Sequence, residues 1–222
     1  MVFSKEWDSV YKENKNMSIW PWSDLIGYVM RYSRPTGPPF RVLELGCGAG
    51  ANIPFFEHLK VNYYAIEGSA FIVERLKESF FDLKDNIICG DFTLEIPFTG
   101  EFDLIIDRSS LTHNTTELIR RCLDNVHNKL KPGGKYIGID WFSTAHSDYQ
   151  KGKGIPEDAV FSKAGYRDGQ FADVGIVHFS DKTHILDLFN RFNISMLEHK
   201  VYKREVPQGH VSAAWNLVAE KE

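Results

Sequence analysis

The stretch RVLELGCGAGANI, residues 41–53, decides the fold. A short apolar run ends there at a turn that holds Gly46, Gly48 and Gly50 within five positions. Glycine in a regular element costs roughly 0.5–1 kcal/mol relative to alanine, because its backbone loses more freedom on folding. Three glycines this close together therefore indicate a backbone that a ligand must approach, where side chains would be in the way.

The composition is that of a globular chain with a sizeable core. The 222 residues suit one domain, and 43% of them are hydrophobic and 25% charged. A net charge of −4 argues against tight binding of bulk nucleic acid, which relies on clustered lysine and arginine. The three cysteines form no CxxC pair, which argues against a zinc site or a disulfide framework.

The expected location of the protein follows from the lack of targeting signals in this sequence. The charged stretch MVFSKEWDSVYKENKN, residues 1–16, lacks the apolar core of a signal peptide. The sequence also lacks a run of about 18 apolar residues that could span a membrane. We therefore expect a protein of the reducing cytoplasm.

Short apolar runs alternate with helical patterns from residue 41 onward. The runs predict strands over 41–45, 62–68, 86–91, 102–107 and 135–142. Apolar residues at helical spacing predict helices over 70–81 and 117–130, the second ended by KPGG. A repeated strand–helix–strand order is typical of an α/β fold in which helices cover both faces of a parallel sheet.

The two ends of the chain depart from this alternation. Residues 22–33 predict a helix within an N-terminal lid over 1–39, which precedes the core at 40–142. Residues 143–178 are polar and aperiodic, which predicts an insert with little regular structure. Residues 179–222 predict a helix and two strands that pair antiparallel, because no helix separates the strands.

The glycine turn lies where open parallel sheets bind ligands, at the carboxyl ends of the strands. Glu67 ends the next strand about 20 residues further on, and a carboxylate there can accept both hydroxyls of a ribose. The ligand should therefore contain a nucleoside. The spacing is G-x-G-x-G rather than the G-x-G-x-x-G of nicotinamide and flavin binders, which disfavours a nucleotide-dependent oxidoreductase.

With the acidic Glu44 before the turn, this pattern resembles the class I S-adenosylmethionine-dependent methyltransferases. The resemblance is close over residues 40–142 and also includes the stretch LKPGGKYI before the fifth strand. It implies a single methyltransferase domain with a Rossmann-like, seven-stranded, mostly parallel sheet whose last strand is antiparallel. It also implies S-adenosyl-L-methionine as the cofactor.

The resemblance assigns residues to the cofactor. The first motif would hold its methionine end, Glu67 its ribose, and Asp91 and Phe92 of CGDF its adenine. The cofactor-binding residues that it implies are Glu44, Gly46, Gly48, Gly50, Glu67, Gly68, Asp91, Phe92 and Asp107. Structural alternatives are a solvated strand end for Glu67, a turn aspartate for Asp91 and a core position for Phe92.

Methyl transfer from a sulfonium requires an aligned acceptor, and a general base only where the acceptor loses a proton of high pKa. His113, which follows the fourth strand, is the candidate catalytic base, with a helix-start histidine as the structural alternative. Asp140 fits a substrate contact or a structural role. The residues assigned to the acceptor are Trp20, Trp22, Arg108, His146, Arg167 and His178. We expect no metal site.

The acceptor itself has no motif. DRSS stands where enzymes that methylate nucleobase amino groups carry N-P-P-Y or D-P-P-Y. We therefore expect O-methylation of a small molecule that is sugar-like or anionic. A protein or RNA acceptor, or a regulatory subunit that keeps the cofactor pocket without turnover, are the alternatives. Nucleic acid is disfavoured as a partner, no membrane partner is expected, and the chain should be a monomer or homodimer.

Overall fold

A central β-sheet runs through the computed structural model, which describes residues 5–222. The strands of this part of the chain are β1 (Arg41–Leu45), β2 (Asn62–Glu67), β3 (Ile87–Cys89), β4 (Phe102–Arg108), β5 (Leu130–Phe142), β6 (Lys153–Gly154), β7 (Ser162–Ala164), β8 (Val177–His178), β9 (Asn193–Lys203) and β10 (Val211–Glu220). Seven of them form the central sheet, in the order β3-β2-β1-β4-β5-β10-β9.

Strands β1 to β5 are parallel to one another, and β10 is antiparallel to both of its neighbours. This confirms the predicted mostly parallel sheet with an antiparallel last strand. The chain moves outward from β1 to β3 and then returns to the other side of β1 with β4. Such a reversal leaves a crevice at the carboxyl ends of the strands, next to the glycine turn.

Helices cover both faces of the sheet. They are α1 (Lys5–Lys12), α2 (Ser23–Tyr32), α3 (Ile53–His58), α4 (Ala70–Ser79), α5 (Thr116–Lys129) and α6 (Lys182–Leu188). Successive strand residues face opposite sides, so Val42 and Leu104 pack with α2, α3 and α4 while Leu43 and Ile105 pack with α5 and α6. None of the helices in the described residues is long and apolar enough to cross a bilayer.

The helix boundaries follow local signals. Helices predicted over 22–33, 70–81 and 117–130 are confirmed to within two residues. The Ser69 hydroxyl accepts a hydrogen bond from Ile72 N–H and caps the start of α4. After α5 the chain enters β5 at once, and KPGG forms an irregular stretch at its start, where Gly133 has a φ of +73° and the β4–β5 register shifts. Gly133 N–H and the Gly134 carbonyl bond to Lys221.

The insert over 143–178 is more regular than the sequence predicts. Strands β6, β7 and β8 form a separate antiparallel sheet, and Tyr166, Phe171 and Phe179 belong to an apolar cluster in the same segment. Most of the segment lies in turns and bends, as predicted, and the short strands are missed because two or three residues are too few to show an alternating pattern. Aromatic packing stabilises the segment instead.

Candidate active site

A cavity of about 560 Å³ opens at the carboxyl ends of the central strands. Its walls come from the glycine turn, the ends of β2, β4 and β5, the N-terminal segment, the insert and the β9–β10 pair. The structure brings to it the sequence-predicted residues Trp22, Glu44, Gly46, Gly48, Glu67, Gly68, Asp91, Phe92, Arg108, His113 and His146. The others, Trp20, Gly50, Asp107, Arg167 and His178, do not line it.

The three glycines of the turn have different surroundings. All three have φ between +52° and +82°, a conformation that glycine adopts without strain. A Cβ on Gly46 would lie 2.4 Å from Ser110 Cβ, and one on Gly50 would lie 2.6 Å from Leu76 Cδ2. A Cβ on Gly48 would meet only Tyr11 Oη, at 3.2 Å, in the described chain. Internal packing thus requires Gly46 and Gly50, and Gly48 is the least enclosed of the three.

Glu67 ends β2 and is 4% exposed. Its carboxylate accepts hydrogen bonds from Gly48 N–H and Ser69 N–H, both at 2.9 Å. Burial raises the pKa of Glu67, and the backbone N–H groups oppose that shift. Because a carboxylate offers about four lone-pair directions, this one can still accept hydrogen bonds from ligand hydroxyls. Its contact with a ribose stays a prediction.

Glu44 lies buried beside the glycine turn. Tyr63 Oη donates to it at 2.5 Å and Asn52 Nδ2 at 2.8 Å. Asn52 also accepts a hydrogen bond from Trp22 N–H at 3.3 Å, which joins the turn to the N-terminal segment. Burial raises the pKa of Glu44 to about 7, and nearby carboxylates add to this shift while the two donors oppose it.

Asp91 lies in the cavity wall after β3. Thr93 donates to Asp91 Oδ1 twice, from its N–H at 2.9 Å and from Oγ1 at 2.6 Å. The other oxygen, Oδ2, is buried and has no hydrogen-bond partner among the described residues. A buried oxygen without a donor is costly, and a ligand N–H would satisfy it. The position fits the adenine contact that the resemblance implies.

Asp107 is a structural residue and not part of the cavity wall. It is fully buried, and its Oδ1 accepts hydrogen bonds from Ser110 N–H at 2.9 Å and Leu111 N–H at 3.0 Å. Trp141 Nε1 donates to its Oδ2 at 2.7 Å. The predicted cofactor contact is therefore replaced by a different role, in which Asp107 begins the 3₁₀ turn after β4.

His113 ends that turn and lines the cavity. Its Nδ1 lies 2.9 Å from the carbonyl oxygen of Ile176, which can only accept, so Nδ1 carries the proton and Nε2 is the basic nitrogen. Trp7 and Phe142 pack edge-on against the imidazole. Burial lowers the pKa of His113 to about 4, which leaves the ring neutral at pH 7.

A charged cluster forms another wall of the cavity. Asp140 in β5 has a φ of +57°, its N–H donates to Asn216 Oδ1 at 2.9 Å, and the β5–β10 register shifts here. Such bulges turn side chains toward active sites. Arg108 Nη2 donates to one oxygen of Asp140 at 2.8 Å, and Lys200 Nζ donates to the other at 2.6 Å.

The same cluster reaches the N-terminal segment. Lys200 Nζ contacts Asp24 of α2 at 2.9 Å, and the Arg108 guanidinium carbon lies 3.5 Å from the centroid of the Trp22 ring. Arg108 Nε is buried without a hydrogen-bond partner in the part of the chain described. Sequence reasoning missed Lys200, because its partner Asp24 is 176 residues away and no local motif marks either residue.

The structure places three predicted acceptor residues away from the cavity. Trp20 is 77% exposed, and Arg167 is exposed on the insert. His178 is fully buried, with Ser162 Oγ at 3.0 Å from its Nδ1 and His184 Nε2 at 3.2 Å from its Nε2. Their positions in the sequence indicated the segments that surround the cavity, but not the direction of the side chains.

Sequence comparison indicates the class of protein. Residues 42–134 match a family model described as a methyltransferase domain. A 24-methylenesterol C-methyltransferase from Oryza sativa subsp. japonica is 27% identical over 114 residues, which are 49% of this chain and 31% of that protein. The match thus spans about a third of the length of this curated relative.

Solved structures share the fold. A SAM-dependent methyltransferase from Methanosarcina mazei aligns with a TM-score of 0.69 at 16% identity, over 91% of this chain and 98% of that one. The magnesium protoporphyrin IX methyltransferase from Synechocystis PCC 6803 with bound SAH aligns with a TM-score of 0.60 at 15% identity, over 90% and 81%. The match over residues 42–134 and the shared fold confirm the family predicted from the motifs, that of the class I S-adenosylmethionine-dependent methyltransferases, and with it the predicted cofactor.

Proposed function

We propose that this chain transfers a methyl group from S-adenosylmethionine to an oxygen atom of a small-molecule acceptor that is sugar-like or anionic. The observation that carries the proposal is one cavity that joins the glycine turn to His113, Arg108 and Lys200. Its volume of about 560 Å³ lies within the range of small-molecule sites, roughly 300–1,000 Å³.

The residues around the glycine turn fit the cofactor. Gly48 leaves room for a close approach, Glu67 keeps lone pairs for ribose hydroxyls, and Asp91 presents a buried oxygen that lacks a donor. When bound, the cofactor supplies a methyl group on a positively charged sulfur. These side chains would hold and orient it, while the protein supplies the alignment of the acceptor.

The residues beyond β4 and β5 suit an acceptor with hydroxyl or anionic groups. Arg108 keeps its Nε–H free, and Lys200 lies on the other side of Asp140, so both can donate to an acceptor. His113 Nε2 would accept a hydrogen bond from the hydroxyl to be methylated and take its proton. We assign the N-terminal segment 1–39 and the insert over 143–178 to the selection of the acceptor.

A cofactor-consumption assay tests this proposal. The protein is incubated with S-adenosylmethionine and a panel of sugar nucleotides, hydroxylated acids, bulk RNA and proteins, and release of S-adenosylhomocysteine is measured. We expect turnover with a small hydroxyl-bearing compound. Turnover with RNA or protein alone would overturn the acceptor class, and tight product binding without turnover on any acceptor would favour a regulatory subunit.

The methylated atom is identified in a second step. With a ¹³C-labelled methyl group on the cofactor, the carbon chemical shift of the product separates O-methyl from N-, S- and C-methyl groups. An O-methyl signal is the expected result. A methyl group on nitrogen, sulfur or carbon would contradict the proposed chemistry while leaving the family assignment intact.

A further inference from the structure

Three metal-ligating side chains meet between the insert and the turn that joins β9 to β10. His146, Asp148 and His210 each offer one ligand atom, and these atoms lie within 4.8 Å of one another. His146 and Asp148 are buried, and the rings of His146 and His210 meet edge-on with centroids 5.4 Å apart. His146 also lines the cavity, so the cluster lies directly behind one of its walls.

The backbone holds these side chains together. Ser147 N–H donates to the carbonyl oxygen of Val211 at 3.0 Å, and Val211 N–H donates to Ser147 Oγ at 2.7 Å. Ser147 stands between His146 and Asp148, and Val211 follows His210. Two hydrogen bonds therefore fix the segment that carries two of the ligands against the residue that follows the third, which is the preorganisation that a binding site needs.

The buried carboxylate of this cluster pairs with a cation that reaches it from the surface. Asp148 is 3% exposed, and Lys151 Nζ forms a salt bridge to its Oδ1 at 2.6 Å. The Lys151 side chain is 56% exposed, so it can turn away from this oxygen into solvent. A buried carboxylate needs a cationic partner, and a bound metal ion can take the place of the lysine.

We propose that His146, Asp148 and His210 bind a divalent transition-metal ion such as Zn²⁺. Two imidazoles and a carboxylate are a ligand set that such ions prefer, and three protein ligands leave a coordination position open. Bonds of about 2.0–2.2 Å would place the ligand atoms roughly 3.4 Å apart, so the cluster contracts on binding. His210 can supply this movement because it ends an exposed turn, and Lys151 swings away into solvent.

Binding of the ion replaces one of two contacts that His146 makes. His146 Nδ1 accepts a hydrogen bond from Asp148 N–H at 3.1 Å, and His146 Nε2 lies 3.3 Å from Gln170 Nε2. Coordination through either nitrogen replaces one of these contacts. The ion would then connect the insert to the β9–β10 turn. This proposal does not depend on which acceptor the enzyme methylates.

Calorimetric titration of chelator-treated protein with Zn²⁺ tests the site, and the visible absorption of Co²⁺ gives a second readout. We expect one site in the unmodified chain and at least tenfold weaker binding in His210→Ala and in Asp148→Asn. His210 is half-buried at the end of an exposed turn, so His210→Ala should stay folded without metal and lose only the ring contact with His146, which its melting temperature measures.

A matched control is His58→Ala, which removes an exposed histidine on α3. This variant should bind Zn²⁺ as the unmodified chain does. Equal affinity in His210→Ala, Asp148→Asn and the unmodified chain would overturn the proposal. So would binding in the unmodified chain that has no defined stoichiometry and gives no Co²⁺ absorption band. Neither readout depends on methyl transfer, so the metal site and the proposed function can fail separately.

Discussion

Glu67 both braces the glycine turn and faces the proposed ligand. Replacing Glu67 by Ala should weaken binding of S-adenosylhomocysteine at least tenfold, because each hydrogen bond to a charged acceptor is worth about 1.5–3 kcal/mol. Isothermal titration calorimetry measures the effect. Glu74→Ala, an exposed change on the neighbouring helix α4, is the control. Unchanged affinity in a folded Glu67→Ala protein would mean that the ribose is held elsewhere.

His113 should affect turnover and not cofactor affinity. In His113→Asn the amide can still donate to the Ile176 carbonyl, but the basic nitrogen is lost. We expect kcat to fall by roughly 10²–10⁴, the usual contribution of a positioned general base. The dissociation constant of S-adenosylhomocysteine should stay the same. A kcat equal to that of the unmodified enzyme would mean that His113 is not the base and has only a structural role at the start of the helix.

Glu44 should make stability depend on pH. Its folded-state pKa of about 7 lies above the ordinary 4.5, so the folded protein holds a proton that the unfolded chain releases between these values. The free energy of unfolding therefore falls as the pH rises from 4.5 to 7. Glu44→Gln lacks this part of the decline, which is at most about 3 kcal/mol. Urea denaturation of both proteins across this range measures it, and parallel curves would contradict the pKa shift.

Which individual residues line the cavity can be predicted from the sequence where a local pattern marks them. The glycine turn, Glu67 and Asp91 follow strand ends, and the ends of parallel strands share one edge of a sheet. Lys200 follows no such rule, since its contacts at the cavity are with Asp140 and Asp24, which lie 60 and 176 residues away. Asp107 lies at a strand end in the same way, but its two oxygens are used by the turn after β4 and by Trp141 of β5, which its position in the sequence does not reveal.

At the scale of the elements, the stability of the insert should depend on Asp158. Its Oδ2 accepts hydrogen bonds from Ser162 Oγ at 2.6 Å and from Thr116 N–H of α5 at 2.7 Å. Burial raises the pKa of Asp158, but His178 and these two donors together lower it more, so the net shift is downward. This stabilisation is present above the ordinary pKa of aspartate and is lost as the pH falls below it. Asp158→Asn should lower the melting temperature and speed amide exchange in the insert at pH 7.

The adjacent change Glu157→Gln is the matched control, because Glu157 is exposed. Its melting temperature and amide exchange should match those of the unmodified chain. If Asp158→Asn behaves in the same way as this control, the contact between the insert and α5 does not hold the insert in place.

The predictability of the elements follows from their length. Helices α2, α4 and α5 have ten or more residues, enough turns to show an apolar stripe. Helix α3 has six residues and begins within the glycine turn, so its pattern merges with that of the loop. The strands of the insert have two or three residues, too few to show a sequence pattern. The segment is ordered by tertiary contacts among Phe171, Phe179 and their neighbours, which the sequence does not reveal.

For the whole molecule, cofactor binding should appear as thermal stabilisation. At a concentration one hundred times its dissociation constant, a ligand selective for the folded state adds about 2.7 kcal/mol. In a chain of 222 residues this corresponds to a rise in melting temperature of roughly 5–10 °C. Differential scanning calorimetry measures the change in melting temperature with S-adenosylhomocysteine and, separately, with a nicotinamide dinucleotide. Stabilisation by the dinucleotide alone would contradict the glycine-turn assignment.

Asp24 and Lys200 are encoded far apart in the messenger RNA, although their side chains are in contact at 2.9 Å. Ribosomes add roughly 5–20 residues per second, so the 176 residues between them take about 10–35 s to synthesise. Strands β1 to β4 are synthesised in the first half of that interval, β9 at its end, and β10 after it. The nascent polypeptide therefore contains the strands of the proposed cofactor site before the strands that complete the proposed acceptor site. Asp24 of α2 is made long before its partner Lys200.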